Sequence, residues 1–387
     1  DDMTENDQKQ LGKILWNIAD QLRGAMNADD FRDYMLAFLF LRYLSDNYEQ
    51  AAKKELGRDY PDPDVVGNGG RTPLSAWYHD NPGDIAAFEK QMRRKAHYVI
   101  KPEYLWANIA YMAQTQDDEL LNTLQKGFKY IEDESFESTF TGLFSEINLG
   151  SEKLGKTYQN RNERLCKIIT KIAEGLAKFS TDSDTLGDAY EYLMRHFASE
   201  SGKSKGQFYT PSEVSRVLAQ VLGIGPHNTT ARTVAYDPTC GSGSLLLKVA
   251  AEAGKHITLE GQEKDVSTAG LARMNMILHD FPTANIVQGN TLANPKFKDG
   301  EQLRTYDYVV ANPPFSDKAW STGISVDDDP YQRFSWGVPP AKQGDYAYLL
   351  HVIRSMNSSG KAAVILPHGV LFRGNAEAVI RKQLVRS

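Results

Sequence analysis

Cysteine is scarce in this 387-residue sequence: only Cys166 and Cys240 occur. Two distant thiols form no disulfide framework and match no metal-ligand spacing, so no metal site is expected. Long apolar runs are missing too. The most apolar, Met35 to Leu41, is too short to span a bilayer and is flanked by Arg32, Asp33 and Arg42. It reads as a core helix segment. The first residues, Asp1-Asp2-Met3-Thr4-Glu5, are acidic and polar, unlike a signal peptide. No membrane association is expected, and a cytoplasmic location is. Nor is there an excess of positive charge. The 44 Lys and Arg against 50 Asp and Glu leave a net charge of −6. That argues against a surface built throughout to grip nucleic acid, though not against a local basic groove or a partner that brings the positive charge. Internal repeats are absent, as is convincing strand alternation before residue 230.

What is present is an ordinary globular composition, 41% hydrophobic and 24% charged, over a length that fits two domains. The first part is helical. Leu11, Ile14, Leu15, Ile18 and Leu22 fall at helical spacing, and Asp29 or Asp30 can cap a second helix carrying Phe31, Met35, Phe38, Leu39 and Leu41. Asp59 to Asn81, rich in Pro, Gly and Asp, reads as a loop. Helical patterns follow at Ile85 to Lys95, Pro102 to Gln114 and Leu120 to Phe128. Arg93-Arg94-Lys95 reads as a solvated helix face. Two more helical patterns, Asn160 to Phe179 and Thr185 to Ala198, bridge into a second domain. The expected limits are 1–158 for an all-helical N-terminal domain and 159–387 for an α/β domain.

The pattern then changes. Short apolar runs rich in β-branched residues alternate with helices: Arg232 to Tyr236, Ile257 to Leu259, Asn285 to Val287, Asp307 to Ala311 and Lys361 to Leu366 as strands, with helices at Ser244 to Ala253, Asp265 to His279, Asp345 to Met356 and Glu377 to Leu384. Such alternation implies a Rossmann-like, doubly wound, mostly parallel sheet. Ligands of such sheets bind just beyond the carboxyl ends of the strands. The first strand ends in Asp237-Pro238-Thr239-Cys240-Gly241-Ser242-Gly243, which is not the Gly-x-Gly-x-x-Gly of a diphosphate site. Asp237 would repel a diphosphate and attract a cationic ligand. Glu263 ends the second strand, about 20 residues past the glycines, where an acid commonly binds ribose hydroxyls. An adenosyl group with a cationic tail, S-adenosylmethionine, satisfies both. Asn290, after the third strand, is a candidate for its adenine, although alone it reads as a turn residue.

The fourth strand runs into Asn312-Pro313-Pro314-Phe315. Two prolines stiffen this loop and donate no N–H, so Asn312 and Pro313 offer carbonyl acceptors beside the Phe315 ring. That suits a planar ring carrying an exocyclic amino group. Gln207-Phe208-Tyr209-Thr210-Pro211-Ser212 precedes a helix and reads either as a capped helix with buried aromatics or as a wall against the methionine end of the cofactor.

Taken together, Gly206-Gln207-Phe208-Tyr209-Thr210-Pro211, Asp237-Pro238-Thr239-Cys240-Gly241-Ser242-Gly243-Ser244 and Asn312-Pro313-Pro314-Phe315 resemble the motifs of amino-methylating DNA methyltransferases, in the order of the adenine-N6 gamma group. With Leu15 to Tyr48, Ser145 to Leu154 and Asn275 to Leu292, nearly the whole chain resembles the methylase (modification) subunit of type I restriction-modification systems. The resemblance implies methyl transfer from S-adenosylmethionine to N6 of a flipped-out adenine in duplex DNA. Asn312, Pro313, Pro314 and Phe315 would be catalytic. Gln207, Phe208, Tyr209, Thr210, Pro211, Ser212, Asp237, Gly241, Ser242, Gly243, Ser244, Glu263 and Asn290 would bind the cofactor. Implied partners are a separate specificity subunit, an ATP-dependent restriction subunit and a second methylase copy. Such proteins continue into a C-terminal helical region, so the chain is expected to be a fragment. Competing readings are methylation of cytosine N4, a glutamine amide or an RNA base, a non-catalytic DNA clamp, and a dehydrogenase.

Overall fold

The computed structural model describes residues 5–24, 26–63, 72–145, 147–177, 183–200 and 209–387. The chain divides into two compact units. The first reaches Glu200 and includes Ile277–Asp280; the second takes the rest. Among the described residues, no helix is long and apolar enough to cross a membrane.

Among its described residues the first unit holds helices and no strand: α1 (Glu5–Leu22), α2 (Ala28–Leu56), α3 (Pro73–Asp80), α4 (Ile85–Lys95), α5 (Trp106–Gln114), α6 (Leu120–Glu134), α7 (Glu137–Phe140), α8 (Tyr158–Leu176) and α9 (Ser183–Glu200). Apolar periodicity builds it: Leu11, Leu15, Ala19 and Leu22 of α1 are buried along one stripe. Three readings change here. The cap of α2 is Asn27, whose side chain accepts from the Asp30 amide, so Asp29 and Asp30 lie within the helix. Within the stretch read as a loop, α3 forms because Thr72 accepts from the Ser75 amide and Pro73 begins the helix. Finally, α8 and α9 pack within the first unit rather than opening the second. Helix α8 lies against α1, α5 and α6, and α9 against α1 and α2. Amphipathic spacing showed that each has an apolar face, but not which neighbour covers it. By its contacts the first compact unit runs to Glu200 and takes in Ile277–Asp280, where 158 is the limit expected from sequence.

The second unit holds a five-stranded parallel sheet in the order β3-β2-β1-β6-β7. Its strands are β1 (Val234–Asp237), β2 (Thr258–Glu263), β3 (Asn285–Gln288), β6 (Tyr306–Ala311) and β7 (Met356–Val364). The sheet starts in its middle, grows to one edge, then resumes on the other side of β1. This is the doubly wound order expected, with the switch point between β1 and β6. Helices α10 (Ser212–Val221), α11 (Ser244–Glu252), α12 (Val266–Leu278), α13 (Asp345–Arg354) and α14 (Ala376–Arg386) complete it. The period of two sorts the side chains. Ala235 and Val310 join Leu218, Ala219 and Leu246 in one core, whereas Tyr236, Val309 and Ala311 join Val352 in another. Both faces are covered, which is why the strands read as continuous apolar runs. A small antiparallel hairpin, β4 (Lys298–Asp299) and β5 (Gln302–Leu303), was not anticipated. Strand β7 begins five residues before the expected Lys361 and contains Gly360, where a Cβ would lie 2.6 Å from the Tyr306 carbonyl oxygen. Only glycine fits there without displacing β6.

Candidate active site

The site is built from the loops that leave the carboxyl ends of the central strands. After β1 the chain turns sharply into α11. Gly243, at φ +83°, caps the helix, and a Cβ on it would fall 2.6 Å from Met276 Cε. A side chain would be strained by the backbone and blocked by its neighbour. The Cys240 amide donates to the Gln262 carbonyl (3.0 Å), laying the turn across β2. Asn275 donates to the Ser242 carbonyl (3.0 Å), and the Ser242 and Ser244 hydroxyls bond each other (2.9 Å).

These loops enclose a cleft of about 370 Å³, within the range usual for small-molecule sites. Four strand ends contribute. Pro238 and Thr239 come from the turn after β1, Glu263 through Val266 from the end of β2, Gly289 through Thr291 from the end of β3, and Asn312 and Pro314 from the end of β6. Tyr348 of α13 adds to the wall. Of the residues expected in the site, Glu263, Asn290, Asn312 and Pro314 therefore meet at one cleft. Pro313 is buried beside them, and Phe315 stands 51% exposed at the rim of the same loop.

Other expected residues are placed differently. Asp237 is 1% exposed and does not line the cleft; its Oδ1 accepts from the Thr239 amide at 3.0 Å. It shapes the turn from within. Gly241, Ser242, Gly243 and Ser244 are likewise buried and support the wall rather than form it. Asn290 lines the cleft, but its Oδ1 also accepts from the Leu292 and Ala293 amides (3.1 and 3.2 Å), as a turn residue does. Tyr209 and Thr210 are buried. Thr210 reaches the Asn312–Phe315 loop: its hydroxyl accepts from Asn312 Nδ2 at 3.4 Å. Pro211 and Ser212 are exposed at the start of α10. Gln207 and Phe208 lie outside the described residues.

The electrostatics favour a cationic guest. Burial pushes the Asp237 carboxyl up to about 7, against the hydrogen bond from Thr239. Burial, then the charges of Asp265 and Asp237, push Glu263 up to about 8. Two acids at adjacent strand ends resist ionisation, so a positive charge placed beside them would be stabilised. Thr239 Oγ1, in the cleft wall, is buried and makes no hydrogen bond among the described residues. A buried polar atom of this kind calls for a polar ligand. Thr239, Lys264, Asp265, Val266, Thr291 and Tyr348 were not singled out from sequence. Thr239 lies inside the quoted turn motif, and the next four adjoin strand ends within three residues of Glu263 or Asn290. Tyr348 arrives through the docking of α13, which local sequence does not disclose.

Two family models match the chain: the N-6 DNA Methylase model over residues 181–387 and the HsdM N-terminal domain over 11–172. The chain belongs to the family of type I methylase subunits. It is 33% identical to the type I restriction enzyme MpnII methylase subunit of Mycoplasma pneumoniae, over 96% of this chain and 70% of that protein. It is 26% identical to the MjaIX methylase subunit of Methanocaldococcus jannaschii, over 96% of this chain but only 63% of that protein. The crystal structure of a type I restriction-modification methyltransferase subunit from Streptococcus thermophilus superimposes with a TM-score of 0.82 at 33% identity, covering 98% of this chain and 79% of that one. The resemblance drawn from the motifs is thus the family found by comparison.

Proposed function

We propose that this chain is the methyl-transferring subunit of a type I restriction-modification complex, acting on N6 of a flipped-out adenine in duplex DNA. The observation that carries this reading is the convergence of Glu263, Thr239, Asn290 and Asn312 on one cleft in a chain of the N-6 DNA methylase family. S-adenosylmethionine, when bound, supplies a methyl group on a positively charged sulfur. Glu263 would hold its ribose, Thr239 and Asn290 would hydrogen-bond its polar edges, and Val266, 46% exposed in the wall, would meet the adenine face. The acids answer its positive charge.

On the substrate side, the adenine N6 lone pair is delocalised into the ring and is a poor nucleophile. The Asn312 side-chain carbonyl and the Pro313 carbonyl would each accept one N6 hydrogen, which localises that lone pair and stabilises the charge developing on nitrogen. Thr210, by accepting from Asn312 Nδ2, favours the orientation in which the other end of the amide is the acceptor. Stacking on the exposed Phe315 ring contributes about 1–3 kcal/mol, comparable to the few kcal/mol needed to unstack a base. The N-6 description of the family favours adenine over cytosine N4. Net negative charge fits sequence reading by a separate specificity subunit, with a restriction subunit and a second methylase copy completing the complex.

The test combines the full-length protein with its specificity subunit, duplex DNA and methyl-labelled cofactor. N6-methyladenine is the expected product, lost in Asn312→Ala. Label on cytosine, or equal activity in Asn312→Ala, would overturn the reading.

A further inference from the structure

Helix α13 grips the chain just past Asn-Pro-Pro-Phe at two successive residues. Ser316 sits at φ +54°, a left-handed conformation that costs a non-glycine residue energy and persists only when its surroundings enforce it. Asp345, the first residue of α13 and 1% exposed, accepts from the Ser316 amide at 2.9 Å. Three residues along the same helical face, the Tyr348 hydroxyl donates to Asp317 Oδ2 at 2.8 Å, and Asp317 Oδ1 in turn accepts from the Ala319 amide.

Asp345 is itself held. Arg373, from the segment after β7, reaches its second oxygen at 2.6 Å and also pairs with Glu377 of α14 at 2.7 Å. The Arg373 carbonyl accepts from Arg381. A chain of charge-assisted contacts thus runs from α14 through Arg373 and Asp345 to the backbone immediately behind Phe315.

We propose that Asp345 and Tyr348 are positioning residues: by clamping Ser316 and Asp317 they set the geometry of Asn312, Pro313 and Phe315 for methyl transfer. This rests on the function proposed above. Neither clamped residue lines the cleft, so Asp345 acts only through the loop, whereas Tyr348 both lines the cleft and holds Asp317. Methyl transfer demands alignment of the reacting atoms, and displacement of a catalytic group by about 1 Å costs up to about a hundredfold in rate.

The test uses the full-length subunit with its specificity subunit and duplex DNA. Asp345→Asn removes the charge that pairs with Arg373 and leaves only a weaker, neutral acceptor for the Ser316 amide, and Asp317→Ala removes the acceptor for Tyr348, without touching the cleft wall. The expected result is a fall in kcat of about ten- to a hundredfold, with cofactor Kd and Tm close to wild type. Faster hydrogen exchange at Ser316 and Asp317 should accompany it, as should weaker fluorescence of 2-aminopurine placed at the target base. Glu377→Gln, one contact further away, should have a smaller effect. Tyr348→Phe combined with Asp317→Ala should lose no more than either alone. Unchanged kcat in both single variants would overturn the proposal. So would losses that merely follow cofactor affinity or Tm, or unchanged exchange at Ser316. Exchange reads the clamp without any activity, so a wild-type complex that methylates no DNA would refute the proposed function while the clamp is still judged.

Discussion

Replacing Glu263 by glutamine should stabilise the second unit and weaken cofactor binding at the same time. The Glu263 carboxyl, ordinarily 4.5, is pushed up to about 8 in the folded chain. A folded value above the unfolded one means that between these limits the folded chain holds a proton that the unfolded chain has released. Stability therefore falls as pH rises from about 4.5 to about 8 and then levels off. Between 4.5 and pH 7 lie about 2.5 units at about 1.36 kcal/mol each, a ceiling of about 3 kcal/mol. Glu263 lies at the cleft and keeps some exposure there, so water screens part of the effect and about 1–2 kcal/mol is expected.

Glutamine carries no such penalty. Wild type and Glu263→Gln should therefore have matching urea midpoints near pH 4.5 and diverge by about 1–2 kcal/mol at pH 7 to 8, with the variant the more stable. Calorimetry should show the opposite order for S-adenosylmethionine. Losing the acid should raise Kd about tenfold, equivalent to about 1.4 kcal/mol. Wild-type affinity should also tighten as pH rises from 6 towards 8, because a cationic ligand favours the ionised carboxyl. A stability difference that ignores pH, or a glutamine variant that binds as tightly as wild type, would refute the assignment of Glu263 to the cofactor cleft.

Other outcomes can be checked alongside. Asn312→Ala should cost about 10²–10³ in kcat while leaving cofactor Kd within twofold if, as proposed, the missing group acts on the substrate amine; radiolabel transfer to duplex DNA measures the first and calorimetry the second. Phe315→Ala, at an exposed position, should leave Tm unchanged but lower the affinity for DNA carrying a 2-aminopurine target by about 1–3 kcal/mol. Gly243→Ala should destabilise by about 1–3 kcal/mol in urea unfolding, from its positive φ and its approach to Met276. Thr239→Val, which removes a buried hydroxyl with no hydrogen-bond partner among the described residues, should be neutral or mildly stabilising without ligand yet weaken cofactor binding, as read by the ligand-induced rise in Tm.

Much of this site was legible because its parts are local. A strand end, a glycine turn and a proline-stiffened loop are each specified within a few residues, and the parallel sheet then carries them to one edge. The apolar runs gave the strands, and the expected order of a doubly wound sheet brought Glu263, Asn290 and Asn312 together. Contacts between segments distant in sequence were hidden. Asp237 looked like a charge for the ligand. Its 1% exposure and its bond to the Thr239 amide make it a builder of the turn, and its electrostatic influence reaches the cleft through Glu263. The placement of α8 and α9 was hidden for a similar reason, because an apolar stripe does not name its partner.

The same distinction explains why α13 matters. Its sequence reads as an amphipathic helix, and Tyr346 and Leu350 do enter the core as spacing requires. Asp345 and Tyr348 carry no motif; only the docked helix shows them behind Ser316 and Asp317. Two prolines limit the Asn312–Phe315 loop from within, each fixing its own φ and restricting ψ of the residue before it, but ψ of Pro314 stays open. The exit of the loop must therefore be held from outside, and the strained φ of Ser316 lies at that exit. Under the function proposed above, a loop that holds acceptors in place for a base that arrives and leaves needs both constraints. The first is written in four consecutive residues; the second requires three elements, β6, α13 and the segment after β7, to be packed together.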